Sequence, residues 1–190
     1  MANLKDLRNR ITSVSSTMQI TSAMKMVSAA KLSKAQDAIT QMRPYAEKLT
    51  ELLQSLSATL TDDQSSKYAE QREVNKVLIV AISSNRGLAG AFNTNIIKAV
   101  KYISENQYAG KNIEVMTIGK KANDILSKTF EIHKNINDIY DDLSYDNVAE
   151  IAEGLMQEFV GGKYDKIVLV YNQFVNAATQ KVQHEQILPI

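Results

Sequence analysis

The stretch TMQITSAMKMVSAAKLSKAQ, residues 17–36, decides how the chain is read. Upstream of it, Leu4, Leu7, Ile11, Val14 and Met18 recur at the three- and four-residue spacing of one helical seam. The same seam resumes at Leu32, Ala35, Ile39, Met42, Ala46, Leu49, Leu53, Leu56 and Leu60. Between the two runs stand Thr21, Lys25 and Ser28, so the seam turns polar for three positions without losing phase. A period near 3.5 residues held over so many turns specifies a coiled coil, and therefore a long helical partner.

Residues 1–60 are thus predicted as a helical coiled-coil arm, about 85 Å long if unbroken. Asn3 is the expected N-cap, because its short side chain can accept from an unpaired first-turn amide. Pro44 removes a backbone donor and crowds the carbonyl four residues back, so a kink is expected near Thr40–Pro44. Around the polar lapse, Ile20, Ala23, Met24, Met26, Val27, Ala29 and Ala30 spread over the other faces. A helix apolar most of the way round must be enclosed or must touch several partners. Two readings follow: Lys25 sets register inside a dimeric coiled coil, or this turn meets a surrounding sleeve where methionines and small side chains adapt to changing contacts.

The composition changes after residue 60. The polar run TDDQSSKYAEQREVN, 61–75, reads as a linker or short helix, and 76–190 as an α/β base domain with a mixed, mainly parallel, Rossmann-like sheet. Strands are expected at 76–82, 112–118, 130–136, 165–174 and 181–190, the last two as an antiparallel pair. Helices are expected at 91–105, from Lys120 to Lys128, and from a Ser144 cap to Val160, where Gly161 and Gly162 stop the chain's turn.

Several chemistries lose support on inspection. The chain has no cysteine, which removes disulfides and thiolate catalysis, and its two histidines, His133 and His184, share no ligand spacing. The loop SSNRGLAGAFN, 83–93, follows a strand and opens a helix, where a phosphate could sit. Gly87 and Gly90 supply only G-x-x-G, however, without the third glycine of a dinucleotide fingerprint or the lysine of a P-loop. The acidic residues Asp138, Asp141, Asp142 and Asp146 lack the glycine and terminal glutamate of an EF-hand, and read as a solvated loop before a helix. Ser83, Ser84, His133 and Asp138 have no spacing that would make a triad. No catalytic residue, cofactor or metal site is therefore assigned.

Charge is unevenly distributed although the formal net is +1. Residues 1–43 hold seven Lys or Arg against two Asp, while 138–158 hold seven Asp or Glu and no Lys or Arg. Such separation suits docking to charged partners better than nucleic-acid binding. No apolar run has the length of a membrane span, and MANLKDLRNRI lacks the core of a secretory signal.

Taken with these features, LRNRITSVSSTMQITSAMKMVSAAKLSKAQ closely resembles the N-terminal helix of the gamma subunits of F-type ATP synthase, with their I-T-x-A-M-x-M-V-[AS]-A-A-K core. The resemblance resumes at RPYAE (43–47), SSNRGLAGAFN, YDKIVLVYNQF (164–174) and EQILPI (185–190). It implies a non-catalytic central-stalk rotor that couples proton translocation to ATP synthesis and hydrolysis. The implied partners are the alpha and beta subunits of the catalytic ring, the epsilon subunit and the membrane c-ring, at the cytoplasmic face of a bacterial inner membrane. It also implies that Arg8, Arg10, Thr21, Met24, Lys25 and Met26 lie at partner interfaces. The family has a cysteine where Ala89 stands, and continues past LPI into a C-terminal helix of the coiled coil; the sequence here ends at Ile190. A chain without that helix is expected to self-associate through the arm. The rival reading is a nucleotide-binding α/β enzyme with a coiled-coil oligomerisation arm; a generic coiled-coil scaffold would leave the 17–36 motif unexplained.

Overall fold

A computed structural model describes residues 3–59, 67–176 and 178–190, with the side chains of 54 and 56–59 outside the described set. The chain divides into two compact units, Met1–Thr59 and Leu60–Ile190.

The first unit is one helix, α1, Leu4–Thr59. Asn3 caps it as expected: its side-chain oxygen accepts from Lys5 N at 3.3 Å and its carbonyl from Asp6 N at 2.8 Å. The helix continues through Pro44, whose missing N–H leaves the Thr40 carbonyl without that intrahelical partner. Threonines that would compete with the backbone elsewhere are absorbed, since Thr12, Thr17, Thr21, Thr40 and Thr50 each donate to the carbonyl four residues back. The apolar seam is exposed from Leu4 to Leu53. Of the expected seam positions, the Leu56 side chain and Leu60 lie outside the described residues.

The second unit is a layered α/β structure. Its elements are β1 Lys76–Ile82, α2 Phe92–Asn106, β2 Asn112–Ile118, α3 Lys120–Leu126, β3 Glu131–Ile136, a 3₁₀ turn Asp138–Tyr140, α4 Tyr145–Val160, β4 Lys166–Asn176 and β5 Thr179–Leu188. The strand order is β3-β2-β1-β4-β5. Strands β1 to β4 are parallel, with Val77 opposite Ile113 on one side and Lys166 on the other, and β4 and β5 are antiparallel. The mixed, mainly parallel sheet expected from the sequence is therefore present.

The continuous apolar run of β1 is explained by burial on both faces. Val77, Ile79 and Ala81 point to a layer with Ile96, Val100 and Ile103 of α2 and Leu126 of α3. Leu78 and Val80 point the other way, toward Leu155 and Phe159 of α4 and Ile167 of β4. Full burial of each such aliphatic side chain contributes about 1.5–3 kcal/mol. The chain order places α4 opposite α2: the connection from β3 to β4 runs back across β1 and β2, and a right-handed crossover in that direction covers the other face.

Two expectations need adjustment. The hairpin of β4 and β5 is tighter than the gap VNAATQ suggested, because Val175, Asn176, Thr179 and Gln180 all belong to its strands, with Asn176 opposite Thr179. Helix α3 ends at Leu126, two residues earlier than expected. Residues 67–75, within the stretch read as linker, pack on the sheet unit; 61–66 lie outside the described residues. Tyr68 and Val74 lie against its two core layers, and Arg72 sits 4.9 Å from the Phe159 ring centroid while donating to the Phe159 carbonyl at 2.8 Å.

Candidate functional site

The loop after β1 is the place where the enzyme reading would have to succeed. In an open α/β sheet a ligand lies beyond the strand ends where neighbouring connections diverge, here between β1 and β4. Those ends are filled by the protein itself. Ser84 N donates to Asn93 Oδ1 at 2.9 Å, and Asn93 Nδ2 donates to Ser84 Oγ at 2.9 Å. Asn172 of β4 donates to the Phe92 carbonyl at 3.0 Å, and Phe92 N is bonded to Ala89 O.

The β2 side is stitched in the same way. Asn85 accepts from Lys120 N at 3.0 Å and donates to the Asn137 carbonyl at 2.6 Å. Ser83 Oγ accepts from Ala122 N at 3.0 Å, and Tyr140 OH donates to the Ser83 carbonyl at 2.6 Å. Groups that could cradle a phosphate are engaged in joining loops, while Gly87, Leu88, Ala89 and Gly90 form an exposed tip. Leu88 adopts φ 62° there.

No triad assembles. Ser83 and Ser84 serve the loop contacts just described. His133 instead lies at the far edge of the sheet, with Nε2 3.1 Å from Glu158 Oε1 and Nδ1 3.1 Å from Lys163 Nζ. Lys163 also meets Glu158 at 3.2 Å, and Tyr164 OH donates to Glu114 Oε2 at 2.6 Å. Burial first, then the hydrogen bond and charge of Glu114, with further repulsion from Glu158 and Glu131, push the Tyr164 phenol far above the ordinary tyrosine range. This cluster joins β2, β3 and the end of α4. Sequence reasoning missed it because its members are scattered from 114 to 164, without a local pattern. Among the described residues, no three His, Cys, Asp or Glu side chains are placed to hold a metal ion.

The arm carries the remaining sites. Arg8, Arg10, Thr21, Met24, Lys25 and Met26 are all exposed on α1, with Met24 63% and Met26 66% accessible. Val14, Thr17, Met18, Thr21, Ser22 and Lys25 line one shallow depression, so the polar lapse and the end of the upstream seam share a face. Ile20 and Val27 are also exposed, at 62% and 58%. Thus this part of α1 presents apolar surface on several sides, with small alanines between.

The family model described as ATP synthase matches residues 3–190, and so spans both units and every element above. The chain belongs to the ATP synthase gamma-chain family. Among its gamma-chain relatives, that of Christiangramia forsetii is 77% identical over 190 residues, and that of Flavobacterium johnsoniae 67% identical. Each alignment covers 100% of this chain and 66% of the relative, so the chain spans about two thirds of these gamma chains.

Solved structures carry the same architecture. A chain of the central stalk and c-ring structure of Tetrahymena thermophila mitochondrial ATP synthase aligns at TM-score 0.70 and 27% identity, over 90% of this chain and 72% of that one. A chain of the Euglena gracilis mitochondrial ATP synthase rotor aligns at TM-score 0.66 and 27% identity, over 95% and 61%. Gamma-chain family membership thus accounts for a long helix joined in sequence to an α/β unit. Among the described residues, no helix is long and apolar enough to cross a membrane.

Proposed function

We propose that this gamma-chain family member works as the rotor shaft of an ATP synthase, transmitting torque between proton movement and the catalytic subunits without catalysing a reaction itself. The observation that carries the reading is the turn from Ile20 to Ala30 of α1, exposed and apolar on several sides yet interrupted by Lys25. A shaft must touch a ring that changes around it without adhering at one angle. Methionine and alanine provide adaptable contact of that kind, and Lys25 opposes tight self-pairing at a seam position.

In this reading Arg8, Arg10, Thr21, Met24, Lys25 and Met26 meet alpha and beta subunits, and the seam on either side pairs with a further helix. The excess of Lys and Arg in residues 1–43 would draw the arm to acidic surfaces. The α/β unit would serve as the base, meeting the epsilon subunit and the c-ring at the cytoplasmic face of the inner membrane. The closed loop at 83–93 favours this reading over a nucleotide-binding enzyme. Domain roles follow the same division: 1–60 as arm, 61–75 as connection, 76–190 as base.

Capture of purified alpha and beta subunits by the chain, with and without residues 1–43, tests the proposal when paired with calorimetric titration of ATP into the chain alone. Arm-dependent capture without ATP binding is expected. ATP binding without capture would replace the rotor with the enzyme reading.

A further inference from the structure

A groove of about 740 Å³ is cut between the edge strand β3 and helix α4. One wall is the end of β3, from Lys134 to Ile136; the other is the stripe Asn147, Glu150, Gly154 and Gln157 along α4. Asp138, Asp141, Asp142, Glu150 and Glu153 line it against the single ammonium of Lys134. Among the described residues none of these five carboxylates takes part in an ion pair. Among the described residues, strand β3 pairs with β2 alone, and no strand lies beside its outer backbone edge.

Gly154 leaves one stretch of the α4 wall without a side chain. It stands in the interior of α4, where glycine is less stable than alanine because it loses more backbone freedom on folding. Its φ is not in the left-handed region, and a Cβ built on it would meet no atom within 4 Å. Among the described residues, nothing requires a glycine there. Its missing side chain leaves a notch in the groove wall, level with the acidic residues.

We propose that the groove docks an extended basic segment of another protein, laid beside β3 with its backbone passing close to Gly154. Lysine or arginine side chains on that segment would meet Asp138, Asp141, Asp142, Glu150 and Glu153, and the open edge of β3 supplies backbone donors and acceptors for strand addition. The charge selects a protein occupant: nucleic-acid phosphates and anionic lipid headgroups are repelled by the same five carboxylates. The proposal concerns the α/β unit alone and does not depend on the rotor reading.

The probe is a synthetic hexapeptide, Lys-Val-Lys-Ile-Lys-Val with blocked ends, with a glutamate-for-lysine counterpart as control. Both are titrated into the isotopically labelled chain and followed by amide chemical shifts and fluorescence anisotropy. The lysine peptide is expected to shift amides within 134–139 and 147–157, and the glutamate peptide to leave them unchanged. Glu150→Lys combined with Glu153→Lys should weaken binding at least tenfold, and Gly154→Leu should block it while the tyrosine circular dichroism stays that of the parent. Gly154→Ala should melt above the parent. Shifts that are absent or scattered over the surface, undiminished binding by a folded Gly154→Leu chain, or a Gly154→Ala chain that melts lower would each overturn the proposal.

Discussion

Gly119 lies directly against the backbone of Ser83: a Cβ on residue 119 would stand 2.8 Å from the Ser83 carbonyl carbon and would overlap its oxygen. Gly119 also adopts φ 103°, a conformation that side chains rarely allow. The contact brings the ends of β1 and β2 together and aligns Ser83 Oγ with Ala122 N. Glycine is therefore a structural requirement of the closed loop region.

Gly119→Ala is expected to destabilise the α/β unit by about 2–4 kcal/mol, because backbone strain and a steric clash act at one residue. Urea unfolding followed by near-ultraviolet circular dichroism reports on this unit, since seven of the eight tyrosines lie between 68 and 171. An unchanged midpoint would contradict the assigned contact.

Asn85→Ala removes the side chain that links the β1 loop to Lys120 N and the Asn137 carbonyl. Losing both bonds should cost about 1–3 kcal/mol. Hydrogen exchange should rise locally at Lys120, whose amide loses its partner; equal protection in parent and variant would show that another group replaces Asn85.

The raised pKa of Tyr164 gives a stability term with a definite sign. Below pH 10, the ordinary tyrosine value, folded and unfolded chains both hold the proton, and the contribution is fully present. Above it the unfolded chain releases the proton while the folded one retains it, so stability falls as pH rises. Tyr164→Phe should be less stable at neutral pH by about 1.5–3 kcal/mol, through loss of the bond to Glu114, and should decline less steeply above pH 10. Tyr108, Tyr140 and Tyr171 are shifted upward as well, so the difference in slope between parent and variant is the quantity to measure.

The strands and helices were legible where one residue pattern permitted one answer. The run VLIVAI could only be a strand covered on both faces, and Ser144 ahead of α4 has the expected capping role, accepting from Asn147 N at 3.5 Å. The strand order was not legible, because the pairing of β1 with both β2 and β4 depends on contacts 36 and 89 residues apart in sequence. The extent of the β4–β5 hairpin was hidden because Asn176, Thr179 and Gln180 continue the ladder without an apolar alternation. At the candidate sites, G-x-x-G was a weak signal in the sequence, and the side chains that close the loop, Asn85, Asn93 and Asn172, come from three separate segments. The acidic run 137–146 read as a solvated loop; its position beside Lys134 and Gly154 emerged only when β3 and α4 came together.

The polar lapse in α1 is expected to limit self-pairing. Replacing Thr21, Lys25 and Ser28 together by leucine should tighten self-association of the chain at least tenfold in sedimentation equilibrium, since each newly buried leucine contributes about 1.5 kcal/mol or more. The parent should also associate through α1, more weakly. A chain that stays monomeric at high concentration with all three leucines would contradict a seam in register through residues 18–32. In an assembled ATP synthase the same triple change should lower coupling of proton flow to ATP synthesis.

The absence of cysteine permits the most direct test of the central claim. Met24→Cys gives the arm a unique thiol, which can be joined by a disulfide to a cysteine placed on one isotopically marked beta subunit in an assembled ATP synthase. After reduction, a period of ATP turnover and reoxidation, the rotor account expects the arm to be recovered on marked and unmarked beta subunits alike. Recovery on the original marked subunit alone, in an enzyme that had turned over freely, would show that the arm does not rotate.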